Sequence, residues 1–247
     1  MVVRQLEIGT GRPKICVSVT GKDDDEVLEQ IRQVRASKAD LAEWRIDFYQ
    51  DVSELKKVGE LLCRIRGVLQ DMPLLFTFRT KEEGGEGRIS EQDYEKLNQY
   101  AAQSGYVDLI DVELEKSEQG ITRMRQAIEE MKGRTVYIIA SYHDFHGTPP
   151  IQDMLHRLEK MKQQGAHIVK LAVMPKDRQD VINLMKAAIE MQSDVPVVTM
   201  SMGKLGKISR IAGSFTGSAI TFGAIGEASA PGQIECDRLY QILNWLD

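Results

Sequence analysis

Apolar residues along this chain follow two alternating rhythms. Short continuous runs are followed by longer stretches in which apolar positions recur every three or four residues. Residues 14–20 form a β-rich run, and acidic residues 23–26 then open a stretch with Val27, Leu28, Ile31 and Val34 at helical spacing. A strand followed by an amphipathic helix is the reading of that pattern. The unit repeats. Residues 41–47 precede a helix capped at Ser53, with Leu55, Val58, Leu62, Ile65 and Leu69 on one side. Residues 74–79 precede a helix that begins near Ser90, with Asp93 as its capping-box partner and Tyr94, Leu97 and Ala101 facing inward. Residues 107–113 lead to Ile121, Met124, Ile128 and Met131; residues 136–144 lead to Leu155, Leu158 and Met161. Residues 167–174 lead to Val181, Ile182, Met185 and Ile189, and residues 195–201 to a short helix around 207–212. Residues 218–222 are the last strand, before a closing helix with Ile234, Leu239, Ile242 and Leu246. Met154, Met161, Met185 and Met191 fall on inward faces and read as core.

About eight such units in 247 residues predict an α/β fold, a (β/α)8 TIM barrel forming a single domain over residues 1–247. The intervening helices force the strands to run parallel. A doubly wound open sheet is the alternative. The residues before Lys14, with Gly9-Thr10-Gly11 as a turn, predict an N-terminal β-hairpin that closes the barrel bottom.

Charges fall where a packed barrel would not choose them. Glu43, Arg45 and Asp47 follow period 2, which predicts one shared face of their strand. Arg79 ends the third strand, Asp111 and Glu113 lie in the fourth, His143 ends the fifth, and Lys170 sits inside the apolar sixth. Burying an ion costs several kcal/mol unless it is paired or binds something, so charges on five consecutive strand ends point to a site at the barrel mouth. The polar, glycine-rich residues 81–87 suit either a mobile loop over that mouth or a plain connector.

Composition narrows the ligand. The net charge is -5 and the sequence pI about 5.5, which argues against a nucleic-acid or anionic-membrane surface. No run approaches the roughly 18 apolar residues of a membrane span, and residues 1–7 lack the basic start and apolar body of a signal peptide, so a soluble cytoplasmic protein is expected. Cys16, Cys63 and Cys236 show no metal-binding spacing and read as reduced, mostly buried thiols. The acidic cluster at residues 23–26 reads as a helix first turn rather than a metal site, and His146, His156 and His167 as ordinary histidines. Residues 203–209 miss a phosphate loop, because Ser201 stands where its first Gly belongs and Ile208 where its Ser or Thr belongs. Gly213, Gly217, Gly223 and Gly226 lack the dinucleotide spacing. A small molecule is therefore the expected partner.

A lysine in an apolar strand points to carbonyl chemistry. Ile168, Val169 and Leu171 disfavour the ammonium, and cationic Arg45 and Arg79 add to that, leaving a nucleophilic amine. With a ketone it forms an imine, whose positive nitrogen acidifies the adjacent carbon. A histidine one strand away, about 4.8 Å across the sheet, can take that proton. Nearby arginines imply an anionic or polyhydroxylated substrate.

The chain resembles the type I 3-dehydroquinate dehydratases of the shikimate pathway. The resemblance rests on the residues at 43–47, 76–79 with 83–85, 111–113, 141–145, 169–172, 199–203, 209–210 and 228–234, and covers nearly the whole length. It implies a homodimeric barrel that removes water from 3-dehydroquinate to give 3-dehydroshikimate, with no cofactor and no metal. By this resemblance Lys170 forms the imine with the C3 ketone. His143 removes the C2 proton and later protonates the departing C1 hydroxyl, and Glu83 orients it. Glu82 is adjacent, and the spacing to Arg79 and to Gly84-Gly85 selects Glu83. Arg210, Gln233 and Ser229 would hold the carboxylate, and Glu43, Arg45 and Arg79 the ring hydroxyls. The loop carrying Ser229 and Gln233 would act as a lid. Another lysine-imine barrel such as an aldolase, or a catalytically silent barrel that binds a carboxylate, are the competing readings.

Overall fold

A computed structural model describes residues 1–131, 135–191 and 193–246. Eight parallel strands make the barrel wall: β3 (Lys14–Val19), β4 (Leu41–Arg45), β5 (Leu74–Thr77), β6 (Leu109–Glu113), β7 (Tyr137–Asp144), β8 (Ile168–Val173), β9 (Val197–Ser201) and β10 (Ile220–Ala224). They pair in chain order, and β10 pairs back onto β3. The seam between β9 and β10 is closed by a parallel bridge between Val197 and Ser218, with Ala219 N donating to Val197 O at 2.8 Å. That closure excludes the open doubly wound sheet. The short strand β11 (Ile234–Glu235) adds to the outer flank of β10.

Both faces of these strands are buried, so period 2 sorts their residues into two cores. Trp44, Phe76, Ile110, Ile138, Val169 and Leu171 face outward, in the core that also holds the helices' apolar stripes. Leu41, Leu75, Leu109, Ile139, Ile168 and Val198 face inward and fill the lower lumen. One pleat higher, the inward positions turn polar: Leu41 is followed by Glu43 and Arg45, Leu109 by Asp111 and Glu113, Ile139 by Ser141 and His143, Ile168 by Lys170. The barrel is therefore apolar below and charged at the mouth.

The helices α1 (Asp24–Ala36), α3 (Glu91–Gln103), α4 (Gly120–Glu129) and α5 (Ile151–Gln163) bury the predicted stripes, apart from Leu155 and Met131, which are half-buried, Met131 lying past the end of α4. Asp23 caps α1 by accepting from Glu26 N, and Ser90 caps α3 by accepting from Asp93 N. Elsewhere the pattern misleads. Helix α2 (Leu55–Leu69) starts after Glu54 with no side-chain cap, so Ser53 does not serve as one. Helix α6 (Arg178–Glu190) buries Val181, Leu184, Ala187 and Ala188, while Ile182 and Ile189 stand about half exposed. The closing helix α9 (Cys236–Leu246) buries Leu239 and Leu243; Ile234 lies in β11 and Leu246 faces solvent. Met154 and Met161 are fully buried, whereas Met185 and Met191 are only half-buried. Cys16 and Cys236 are buried, but Cys63 is exposed on the outer face of α2.

The N-terminal hairpin is present as β1 (Val2–Val3) and β2 (Leu6–Glu7). Its turn is made at Arg4, which takes a positive φ of 56°, and not at residues 9–11, which instead connect the hairpin to β3. Val3 and Ile8 pack into the lower lumen and close it. Among the described residues no helix is long and apolar enough to cross a membrane.

Candidate active site

The mouth of the barrel holds an open cavity. Its lining includes Glu43, Arg45, Arg79, Glu83, His143, Lys170, Arg210, Ser229 and Gln233, the nine positions given a catalytic or binding role from the sequence, whereas Asp47, Asp111 and Glu113 are not among its lining residues. The strand register explains the meeting: Ser141 of β7 pairs with Lys170 of β8, and His143 pairs with Ala172 one pleat higher. Lys170 and His143 thus project into the same lumen at successive heights.

Lys170 is 4% exposed. Its Nζ stands 3.6 Å from Asp111 Oδ2 and 4.4 Å from the centre of the Phe222 ring. The sequence reading placed arginines as its main charged neighbours, whereas its ion pair is with a carboxylate. His143 Nδ1 lies 2.8 Å from Glu83 Oε2, which also accepts from the His143 backbone N–H at 3.0 Å. Burial first, and then the positive charges of Arg79, Lys170 and Arg45, push His143 well below the usual imidazole range. Glu83 is pushed the other way by burial and by Glu113, against the pull of Arg79. One proton between Nδ1 and Oε2 satisfies both groups and leaves Nε2 as an acceptor. Glu82 turns outward and pairs with Arg88.

Arg79 is the hub beneath them. Its Nη1 donates to Glu113 Oε1 at 2.8 Å and to Ser141 Oγ at 3.0 Å, and its Nη2 lies 2.8 Å from Asp111 Oδ1. Glu113 is saturated by Arg79, Thr80 N and Thr80 Oγ1. Asp47 departs from the period-2 expectation, because β4 ends at Arg45 and residues Ile46–Phe48 form a 3₁₀ turn. That turn brings the Asp47 carboxylate back to bind Arg45 through Nε and Nη2, both at 2.8 Å. Glu43 accepts from Thr77 Oγ1 at 2.8 Å and from Ser18 Oγ.

Residues 81–87 are pinned by backbone bonds from Lys81 N to Gly87 O and from Gly85 N to Thr80 O. A Cβ at Gly85 would lie 2.0 Å from the Arg79 carbonyl oxygen, so that glycine permits a close backbone approach rather than mobility.

Arg210 is 1% exposed and, among the described residues, forms no ion pair with a carboxylate. Its Nη1 donates to Phe222 O at 3.3 Å and its Nη2 to Pro231 O at 3.1 Å, while Nε has no partner. Burial alone pulls its pKa down to about 10. A buried guanidinium that pairs with no carboxylate of the described residues is able to bind an anion. Beside it Ser229 and Gln233 are joined by Gln233 Nε2 donating to Ser229 Oγ at 3.0 Å and Ser229 N donating to Gln233 Oε1 at 3.0 Å. The sequence reading missed Ser18, Phe145, Met200, Met202 and Phe222, which also line the cavity. Phe222 and Met200 lie at inward strand positions, a signal that period 2 carries.

The family model for type I 3-dehydroquinase matches residues 15–247. The 3-dehydroquinate dehydratase of Clostridium kluyveri is 43% identical over 244 residues, covering 98% of this chain and 95% of that one. That of Klebsiella pneumoniae is 42% identical over 249 residues, covering 100% and 98%. The crystal structure of the type I 3-dehydroquinate dehydratase of Clostridium difficile with covalent modified comenic acid has a TM-score of 0.95 at 40% identity, covering 100% of this chain and 97% of that one. With a family match over almost its entire length, a closed (β/α)8 barrel and a mouth of this composition, the chain belongs to the type I 3-dehydroquinase family.

Proposed function

We infer that this protein is a hydro-lyase, a 3-dehydroquinate dehydratase, that converts 3-dehydroquinate to 3-dehydroshikimate through an imine on Lys170, as one barrel domain. The observation that carries the reading is one cavity lined by a buried lysine amine, a histidine and an arginine that pairs with no carboxylate of the described residues. The relative that carries covalent modified comenic acid supports a covalent chemistry in this family.

In this mechanism Lys170 Nζ attacks the C3 carbonyl carbon and the oxygen leaves as water. The iminium withdraws electrons from C2, and His143 Nε2 takes the C2 proton while its Nδ1–H stays on Glu83. The pair of electrons freed at C2 then expels the C1 hydroxyl, which leaves as water with the proton returned by His143. Arg210, Gln233 and Ser229 hold the carboxylate on C1. Glu43 and Arg45 receive ring hydroxyls, with Arg45 fixed by Asp47. Arg79 has a smaller part in binding than the resemblance implies, because four acidic or hydroxyl groups already engage it.

The half-exposed Ile182 and Ile189 on α6 and the exposed Phe215 of the adjoining α8 (Gly213–Thr216) offer an apolar face to a second copy, which is where a homodimer would form. The reaction would run in the cytoplasm, in aromatic amino-acid biosynthesis or in quinate breakdown. The test is turnover: 3-dehydroquinate added to the protein gives rising enone absorbance, and His143→Ala lowers the rate by roughly 10²- to 10⁴-fold. Full activity in His143→Ala would remove the acid-base assignment.

A further inference from the structure

Two carboxylates of β6 point into the lumen, and they are not equivalent. Both oxygens of Glu113 are taken by donors from Arg79 and Thr80. Asp111 has one oxygen engaged: Oδ1 accepts from Ser141 Oγ at 2.7 Å and lies 2.8 Å from Arg79 Nη2. Its Oδ2 is buried without a hydrogen-bond partner, 3.6 Å from Lys170 Nζ. A fully buried carboxylate oxygen without a donor still has room for one more hydrogen bond. Glu83 Oε1 is also without a partner, but Glu83 is bound to His143 and, among the described residues, forms no ion pair with Lys170.

We propose that Asp111 is the standing counter-ion of the reacting nitrogen, its free Oδ2 reserved for the N–H of the Lys170 imine so that the imine stays protonated. The proposal rests on the imine reading above. The chemistry balances around it. An ammonium and a ketone give an iminium and water: one N–C bond and its C=N partner form, both C–O bonds break, and the oxygen leaves with two of the three ammonium protons. The charge on nitrogen is +1 before and after, so a fixed carboxylate faces a cation at both ends of the step without reorganising. When the C2 proton leaves, the electron pair neutralises the nitrogen, and the charge returns there as the C1–O bond breaks. An unprotonated imine would be a poor electron sink at both points. The remaining charged or titratable groups lining the cavity are Glu43, Arg45, Arg79, Glu83, His143 and Arg210. The three arginines all oppose a cation at this nitrogen, Glu43 is held by Ser18 and Thr77, and Glu83 by His143. Asp111 is the carboxylate left for it. Burial pushes its carboxyl upward, but Arg79 and Lys170 outweigh burial and keep it ionised. On the opposite side the Phe222 ring offers its face to the same nitrogen.

Cyanoborohydride reduces iminium ions and leaves neutral imines largely untouched, whereas borohydride reduces both. Wild-type protein mixed with 3-dehydroshikimate is therefore expected to gain the reduced adduct at Lys170 with either reagent, by peptide mass spectrometry. In Asp111→Asn the yield with cyanoborohydride falls about tenfold or more relative to borohydride, the size of an effect expected when a close opposite charge is removed. The turnover number falls with it, while KM changes less. Ser141→Ala, which removes a donor to Oδ1 and keeps the charge, retains the wild-type ratio. An unchanged ratio in Asp111→Asn would overturn the proposal. So would loss of cyanoborohydride trapping in the wild type at pH 9, a measurement that holds even where Asp111→Asn does not fold. Absence of any adduct with either reagent in the wild type would instead remove the imine reading itself.

Discussion

The two ends of the barrel hold the same kinds of charge and treat them differently. At the bottom, Asp108 accepts from Arg4 Nε at 2.8 Å, from Arg66 Nη2 at 2.6 Å and from Leu74 N at 2.9 Å. Asp40 there takes Arg12 through two bonds of 2.7 and 2.9 Å and accepts Ile15 N as well. At the mouth, Arg210 Nε, Asp111 Oδ2 and Glu83 Oε1 are left without hydrogen-bond partners. A charge whose valences are filled by its own fold is part of the scaffold. A buried charge with a vacancy can still take a further bond from a group that arrives. The bottom is a closed account of pairs, and the mouth is an open one.

That contrast can be broken most directly at Lys170. Lys170→Ala is expected to lower turnover by at least about 10⁴-fold in a single-turnover assay, since among the described residues no other amine lines the cavity. Arg210→Met should raise KM by roughly tenfold to a hundredfold through loss of the charge-assisted bonds to the carboxylate. The same variant should melt no lower than wild type in calorimetry, because it removes a desolvated charge that no carboxylate of the described residues compensates. Asp108→Ala should do the reverse. It leaves two guanidinium groups facing each other at the bottom and costs about 3 kcal/mol of unfolding free energy in a urea titration, with KM and turnover of the folded fraction unchanged. The smallest effect concerns His167, just below β8, where Nδ1 accepts from Ile138 N and Nε2 meets Arg125. Burial first, and then Arg125, push it down to about 4. Between about pH 6.5, the value in the unfolded chain, and about 4, the unfolded chain binds a proton there that the folded chain does not. Stability therefore falls as pH falls through that window, and His167→Gln should flatten the slope of urea midpoint against pH.

Much of the barrel was legible because its strands and helices impose different periods on one list of apolar residues. The site was legible because a charge at an inward strand position has no inexpensive structural explanation, and all nine selected side chains line one cavity. What escaped the sequence is equally physical. Ile182 and Ile189 have helical spacing but face outward, since periodicity fixes the width of a stripe and not which neighbour covers it. Asp47 departed from the strand alternation because a 3₁₀ turn at Ile46–Phe48 follows the strand's end at Arg45. The glycines of residues 84–87 looked like flexibility and proved to be close contacts, which depend on what lies opposite. Asp111 was visible only as one more strand-end charge; its vacancy exists only once Ser141 and Arg79 have taken its other oxygen.

The measurement that bears most directly on the whole account is peptide mass spectrometry after borohydride reduction during turnover of 3-dehydroquinate. A reduced adduct is expected on the peptide containing Lys170 and on no other lysine. Unmodified Lys170 in protein that turns over substrate at full rate would contradict it.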